Sequence, residues 1–159
     1  MKANPRKRIY EAVLKEHLRD NRQMVFLTGP RQCGKTTLAK AISDQYFTWD
    51  DLATRRLVAG SAADLATAAG LDVAEARHPV ITLDEIHKFA RWKTFIKGFF
   101  DIYEDRMRLI VTGSARLDIY KRGGDSLMGR YFLYHMHPLG VAELVRPNLE
   151  VKEIGRAHV

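Results

Sequence analysis

The sequence holds a single cysteine, Cys33, among 159 residues. No internal disulfide can form, and a lone thiol fits a reducing compartment. No run of eighteen apolar residues occurs, which excludes an ordinary membrane-spanning helix. The basic start, Met1 to Arg8, leads into a polar-interrupted stretch instead of the apolar segment of a secretion signal. These absences predict a soluble, cytoplasmic protein. Acidic residues are also short, 19 against 26 Lys and Arg, for a formal net charge of +7. A basic surface concentrates polyanions. Yet apart from Lys2, Arg6, Lys7 and Arg8 the basic residues are scattered along the chain, without the clustered Arg, Lys and aromatics of a nucleic-acid module. Nucleic-acid binding is left open and not favoured. There is no internal repeat or low-complexity tract, and 46% hydrophobic residues suffice for one core and one domain.

What is present alternates between two periods. Ile9, Val13, Leu14 and Leu18 predict an amphipathic helix from about Ile9 to Asp20. Met24-Val25-Phe26-Leu27-Thr28 is a short continuous apolar run, the pattern of a strand buried on both faces. A helix is expected from Gly34 to about Ser43, a short strand over Tyr46 to Asp50, and a helix capped by Asp51 and reaching Leu57. Ala62 to Ala76 reads as helix interrupted by Gly70. Val80 to Leu83 and Leu109 to Thr112 are further buried strands. Trp92, Phe95, Ile96, Phe99 and Tyr103 form an apolar stripe at helical spacing, the sheet-facing side of a helix. Lys121 to Asp125 reads as a mobile loop and Tyr131 to Met136 as a last strand before Pro138. Strands alternating with helices predict an α/β fold, with a mostly parallel sheet of about five strands and helices on both faces.

Three elements carry chemistry. Gly29-Pro30-Arg31-Gln32-Cys33-Gly34-Lys35-Thr36 matches G-x-x-x-x-G-K-[ST], the phosphate-binding loop. Its glycines let successive backbone N–H groups turn toward phosphate oxygens, and the following helix adds its positive end. Lys35 would reach the β- and γ-phosphates and the Thr36 hydroxyl would ligate Mg²⁺, with Thr37 beside it. Second, the strand Val80 to Leu83 delivers Asp84 and Glu85 to a carboxyl end, where open α/β sheets bind ligands. Asp84 is the expected metal-side acid and Glu85 the acceptor of a proton from attacking water. Third, Thr112 and Ser114 stand at the tip of another strand, placed either to sense a γ-phosphate or to cap the next helix. The loop contacts phosphates only, so it does not choose between ATP and GTP. Cys33 lies inside the loop as a tolerated small residue. His135 and His137 share a strand face but lack a third metal ligand at suitable spacing.

These residues resemble a known family. Gly-Pro-Arg-Gln-Cys-Gly-Lys-Thr-Thr-Leu, Leu-Asp-Glu-Ile-His-Lys, Thr-Gly-Ser-Ala-Arg-Leu, and Leu-Met-Gly-Arg followed by His-Pro-Leu-Gly-Val-Ala-Glu-Leu look like prokaryotic AAA-type P-loop ATPases that carry a further C-terminal domain. The resemblance runs from Ile9 to about Val151 and implies an ATP-binding domain in which an acidic-tipped strand and a sensor strand flank the phosphate-loop strand. Within it, Arg130 and Arg116 are arginine-finger candidates, with a structural role as the alternative. Glu153 to Val159 departs from the pattern and resembles the conceptual translation of a sequencing adapter. The expected organisation is therefore one domain, 1–152, with a non-native tail over 153–159 and a missing C-terminal domain as partner. The expected function is ATP binding with Mg²⁺-dependent hydrolysis. The alternative is a nucleotide-dependent switch or interaction module with little turnover, for which a DNA-linked role stays open. Oligomeric state is not legible.

Overall fold

Short strands that are apolar on both faces can be satisfied only by helices packed above and below them. The computed structural model of this chain, which describes residues 8–73, 78–113 and 127–145, has that arrangement. Met24–Thr28 (β1), Gln45–Thr48 (β2), Val80–Asp84 (β3), Arg108–Thr112 (β4) and Tyr131–His135 (β5) form a five-stranded sheet in the order β2-β3-β4-β1-β5. Every pairing is parallel. All five side chains of β1 are buried, and their alternation divides them between two cores.

Met24 and Phe26 enter one core with Ile81, Leu83, Leu109 and Val111, under Leu52–Gly60 (α3), Ala62–Ala68 (α4) and Trp92–Tyr103 (α5). Val25 and Leu27 enter the other with Ile110, under Ile9–Asp20 (α1) and Lys35–Ile42 (α2). The stripe on α5 packs as its spacing predicts. Trp92, Ile96, Phe99 and Phe100 are buried, while Phe95 and Tyr103 lie against the same core. Phe26 meets the Trp92 ring edge-on at 6.2 Å and the Tyr131 ring at 4.5 Å, so it ties β1 to α5 and to β5.

The structure corrects several expectations. The strand expected to carry the sensor, β4, does adjoin β1, but the acidic-tipped β3 lies one place further out, and β5 occupies the other side of β1. Buried parallel strands read alike in sequence, so lateral order is invisible there. The strand expected to reach Asp50 ends at Thr48, because Trp49 and Asp50 turn. The helix expected to continue to Ala76 ends at Ala68. Gly70 takes a left-handed φ of +73°, and the N–H of Leu71 reaches back to the Ala66 carbonyl at 2.9 Å, a glycine stop that side chains disfavour. A short 3₁₀ turn, Ile86–Lys88, and a last helix, Val141–Val145 (α6), were not foreseen. The loop Lys121 to Asp125, the basic residues Lys2, Arg6 and Lys7, and the tail from Glu153 lie outside the described residues. Among the described residues no helix is long and apolar enough to cross a membrane.

Replacing Phe26, fully buried, by Ala should lower unfolding free energy by about 3–5 kcal/mol. Urea denaturation reads this as a lower midpoint at unchanged slope.

Candidate functional site

Between the end of β1 and the start of α2 the backbone is forced into unusual conformations. Gly29, Gln32 and Gly34 have φ of 146°, 63° and 97°, in the region that favours glycine. Gly29 is also a steric requirement, since a Cβ there would run into the carbonyl oxygen of Met136. That carbonyl is fixed because the Met136 N–H donates to the Thr28 carbonyl at 2.7 Å. The turn brings the first N–H groups of α2, with their positive partial charge, to the mouth of the loop. Lys35 folds back across the loop and is 8% exposed. Its Nζ donates to the carbonyls of Gly29 at 2.9 Å and Pro30 at 2.7 Å and lies 3.7 Å from the buried Cys33 sulfur. Pro30, Arg31, Gln32, Thr36 and Thr37 are exposed.

Register places the second element. Asp84 ends β3 directly opposite Thr48 on β2 and Thr112 on β4. Its carboxylate is buried, and burying a charge is costly unless hydrogen bonds replace water. Three hydroxyls do so. Thr112 donates to Oδ1, Tyr46 donates to Oδ2, and Thr36 Oγ1 donates to Oδ2 at 3.3 Å. Burial, and then donation to Asp84, push the Tyr46 phenol well above its ordinary pKa. Tyr46 was missed in the sequence because only the strand register shows that it reaches Asp84. The Thr36 hydroxyl and the Asp84 carboxylate are hard oxygen donors of the kind Mg²⁺ takes, so this pair fits the ion.

Glu85 follows at φ 56° and ψ 21°, a left-handed conformation that costs a non-glycine residue about 1–2 kcal/mol. Its N–H donates to the Thr112 carbonyl at 3.1 Å. Its carboxylate stands 3.5 Å from Lys88 Nζ and 3.7 Å from His87 Nε2. Lys88 also bonds Asp50 at 2.6 Å, and that hydrogen bond is the first cause of its raised pKa. Thus Thr36 and Thr112 converge on Asp84, with Lys35 and Glu85 adjoining them in sequence.

Arg130 does not join them. Ser114 and Arg116 lie outside the described residues. Arg130 stands just before β5, level with the start of β1. It is at the amino end of the sheet, five strand residues or roughly 16 Å from the loop. There it forms a two-pronged pair with Asp101 of α5, at 2.6 and 3.1 Å. The finger expectation for Arg130 is therefore not met within its own chain. The His135 and His137 rings meet edge-on at 4.8 Å, with His135 Nδ1 3.2 Å from the Thr28 hydroxyl. No group of three metal-binding side chains occurs among the described residues.

One further contact reaches the loop from outside. Arg8, immediately before α1, donates from Nη1 to the Cys33 carbonyl at 2.6 Å and from Nε to Glu143 of α6 at 2.9 Å. Burial raises the Glu143 pKa, but the hydrogen bonds from Arg8 and from the N–H groups of Gly140 and Ile9 outweigh it, and the net shift is downward.

A family model described as AAA domain matches residues 21–145, a span that contains all five strands and the loop. Two solved structures are similar in fold. One is PCH-2 of C. elegans, at 14% identity and a TM-score of 0.54, covering 82% of this chain and 42% of that one. The other is a katanin structure bearing on that protein's self-assembly, at 21% identity and 0.50, covering 81% and 46%. This chain spans less than half the length of either. No curated protein matches.

Two outcomes follow from the loop and its outer contact. Gly29→Ala should be destabilised and should lose nucleotide binding, read by thermal melting and ligand titration, because the Met136 carbonyl cannot recede without breaking β5 pairing. The lowered Glu143 pKa contributes stability above its unfolded value of about 4.3. That contribution is lost as pH falls through the folded value. Stability measured across pH 5 to pH 3 should therefore show an acid limb that is shallower in Glu143→Gln.

Proposed function

We propose that this chain, which belongs to the AAA domain family, binds ATP with Mg²⁺ at its phosphate loop and hydrolyses it using Glu85. The observation that carries this reading is the meeting of Thr36 and Asp84. They belong to different segments, yet their oxygens stand 3.3 Å apart at the carboxyl end of a parallel sheet, beside a lysine turned into the loop.

In this reading the loop amides and the start of α2 bind the phosphates, and Lys35 exchanges part of its bonding to the Gly29 and Pro30 carbonyls for phosphate oxygens. Thr36 and Asp84 would hold the ion, which when bound neutralises charge on the β- and γ-phosphates. Glu85 accepts the proton of the attacking water. Its left-handed backbone turns its side chain out of the line of β3, and Lys88 Nζ stands 3.5 Å from its carboxylate. Thr112 has one hydroxyl proton, which it gives to Asp84. Sensing a γ-phosphate as a donor would therefore require it to release Asp84, so phosphate contact and the Asp84 network compete for the same proton. Arg130 could act only on nucleotide held by another copy.

Lys35→Ala should weaken ATP binding at least about tenfold, a loss of about 1.4 kcal/mol or more. Glu85→Gln should keep binding while turnover falls about 10²- to 10⁴-fold. Titration with ATP and a phosphate-release assay measure both. Unchanged turnover in Glu85→Gln would sink the hydrolytic role, and stoichiometric binding with negligible turnover in the unsubstituted chain would leave a nucleotide-dependent switch.

A further inference from the structure

Arg8 stands outside the phosphate-loop pattern, yet its side chain joins three segments far apart in sequence. Nη1 donates to the Cys33 carbonyl at 2.6 Å, Nη2 to the His137 carbonyl at 2.8 Å and to Glu143 Oε2 at 3.3 Å, and Nε to Glu143 Oε1 at 2.9 Å. Both side chains of the pair are 11% exposed. The Tyr10 ring lies 5.6 Å from the guanidinium carbon. Glu143 is held in turn by the N–H groups of Ile9 at 3.2 Å and Gly140 at 3.1 Å. A planar fork bonded on all three nitrogens has one orientation, whereas a surface ion pair would have many.

The contact with Cys33 matters because of peptide geometry. In a planar trans peptide the C=O and the following N–H point in opposite directions. The Cys33 carbonyl is drawn to Arg8, so the N–H of Gly34 points the opposite way, away from Arg8. Gly34 itself is left-handed, and a Cβ there would stand 3.4 Å from Arg8 Nη1. Its peptide could flip, since glycine tolerates both signs of φ. An external anchor on the Cys33 carbonyl removes that freedom.

We propose that Arg8 is a positioning residue for phosphate binding. Oriented by Glu143, it fixes the Cys33–Gly34 peptide so that the Gly34 amide is presented to the nucleotide phosphates. This rests on the ATP-binding reading above. It also makes the seating of α6 a determinant of loop geometry, since Glu143 is the α6 residue that orients the fork.

The test uses the full chain and measures ATP affinity by calorimetric titration with Mg²⁺, turnover at saturating ATP, and thermal melting. Arg8→Ala should weaken ATP binding about tenfold, as expected for one lost charge-assisted hydrogen bond. Its kcat should stay within about threefold, a KM effect that general loosening of the fold would not single out. Arg8→Lys, which keeps the charge but not the fork, should regain only part of the affinity. It carries the test alone if Arg8→Ala does not fold, and wild-type affinity in it would then overturn the proposal. The exchanged pair Arg8→Glu with Glu143→Arg should recover melting temperature without recovering affinity, because a carboxylate cannot donate to Cys33. Unchanged affinity in folded Arg8→Ala, or full recovery of affinity in the exchanged pair, overturns the proposal while leaving ATP binding intact. An unsubstituted chain that does not bind ATP overturns both.

Discussion

The buried carboxylate of Asp84 is the interaction on which the site depends. An ionised group taken out of water at the end of β3 must be compensated, and the protein compensates it with hydroxyls from three separate segments: Thr112 across the sheet, Tyr46 from the edge strand and Thr36 from the loop helix. Each donor fixes the segment that carries it. β2 and β4 are locked in register around β3, and α2 is drawn against the sheet at the place where its N-terminus faces the loop. The geometry expected of a phosphate site is thus tied to the need to satisfy one charge. Removing a donor from such a buried network costs more than the bond itself, because the acceptor stays behind unsatisfied.

The two cores provide the rigidity this requires. Because β1 is buried on both faces, it cannot shift by one residue without exchanging the side chains that each core receives. Glu85, with a non-glycine left-handed backbone, sits immediately after the acidic strand and is held by its N–H bond to the Thr112 carbonyl. Strain of this kind persists only where the surroundings over-determine the conformation. The register of β3 against β4 supplies that.

What was legible in the sequence was whatever a local pattern forces. Gly29 to Thr36 announces itself because glycines at fixed spacing before a helix have a specific backbone use. The strand ending in Asp84 and Glu85 is legible because four apolar-leaning residues followed by two acids are hard to place elsewhere. The α5 stripe is legible from period alone. Lateral strand order was not, since Val25, Ile81 and Ile110 are equivalent as buried strand residues, and the acidic strand was set one place too near β1. Tyr46 and Arg8 were missed for a related reason. Their partners lie 38 and 25 residues or more away, and nothing local in a tyrosine or an arginine names a distant acceptor. Nothing local in the sequence sets a direction for Arg130, and its place at the opposite end of the sheet keeps it from the loop of its own chain.

The backing of the loop by β5 has a consequence in time. Gly29 is seated against Met136, and β1 is paired along its length with a strand more than one hundred residues later. Closing so long a loop carries an entropic cost and slows folding. A chain emerging from the ribosome carries the whole phosphate-loop sequence long before it carries the wall that shapes it. The site is therefore completed only when β5 has been made, and a nascent chain that ends before Met136 has the motif without the cradle.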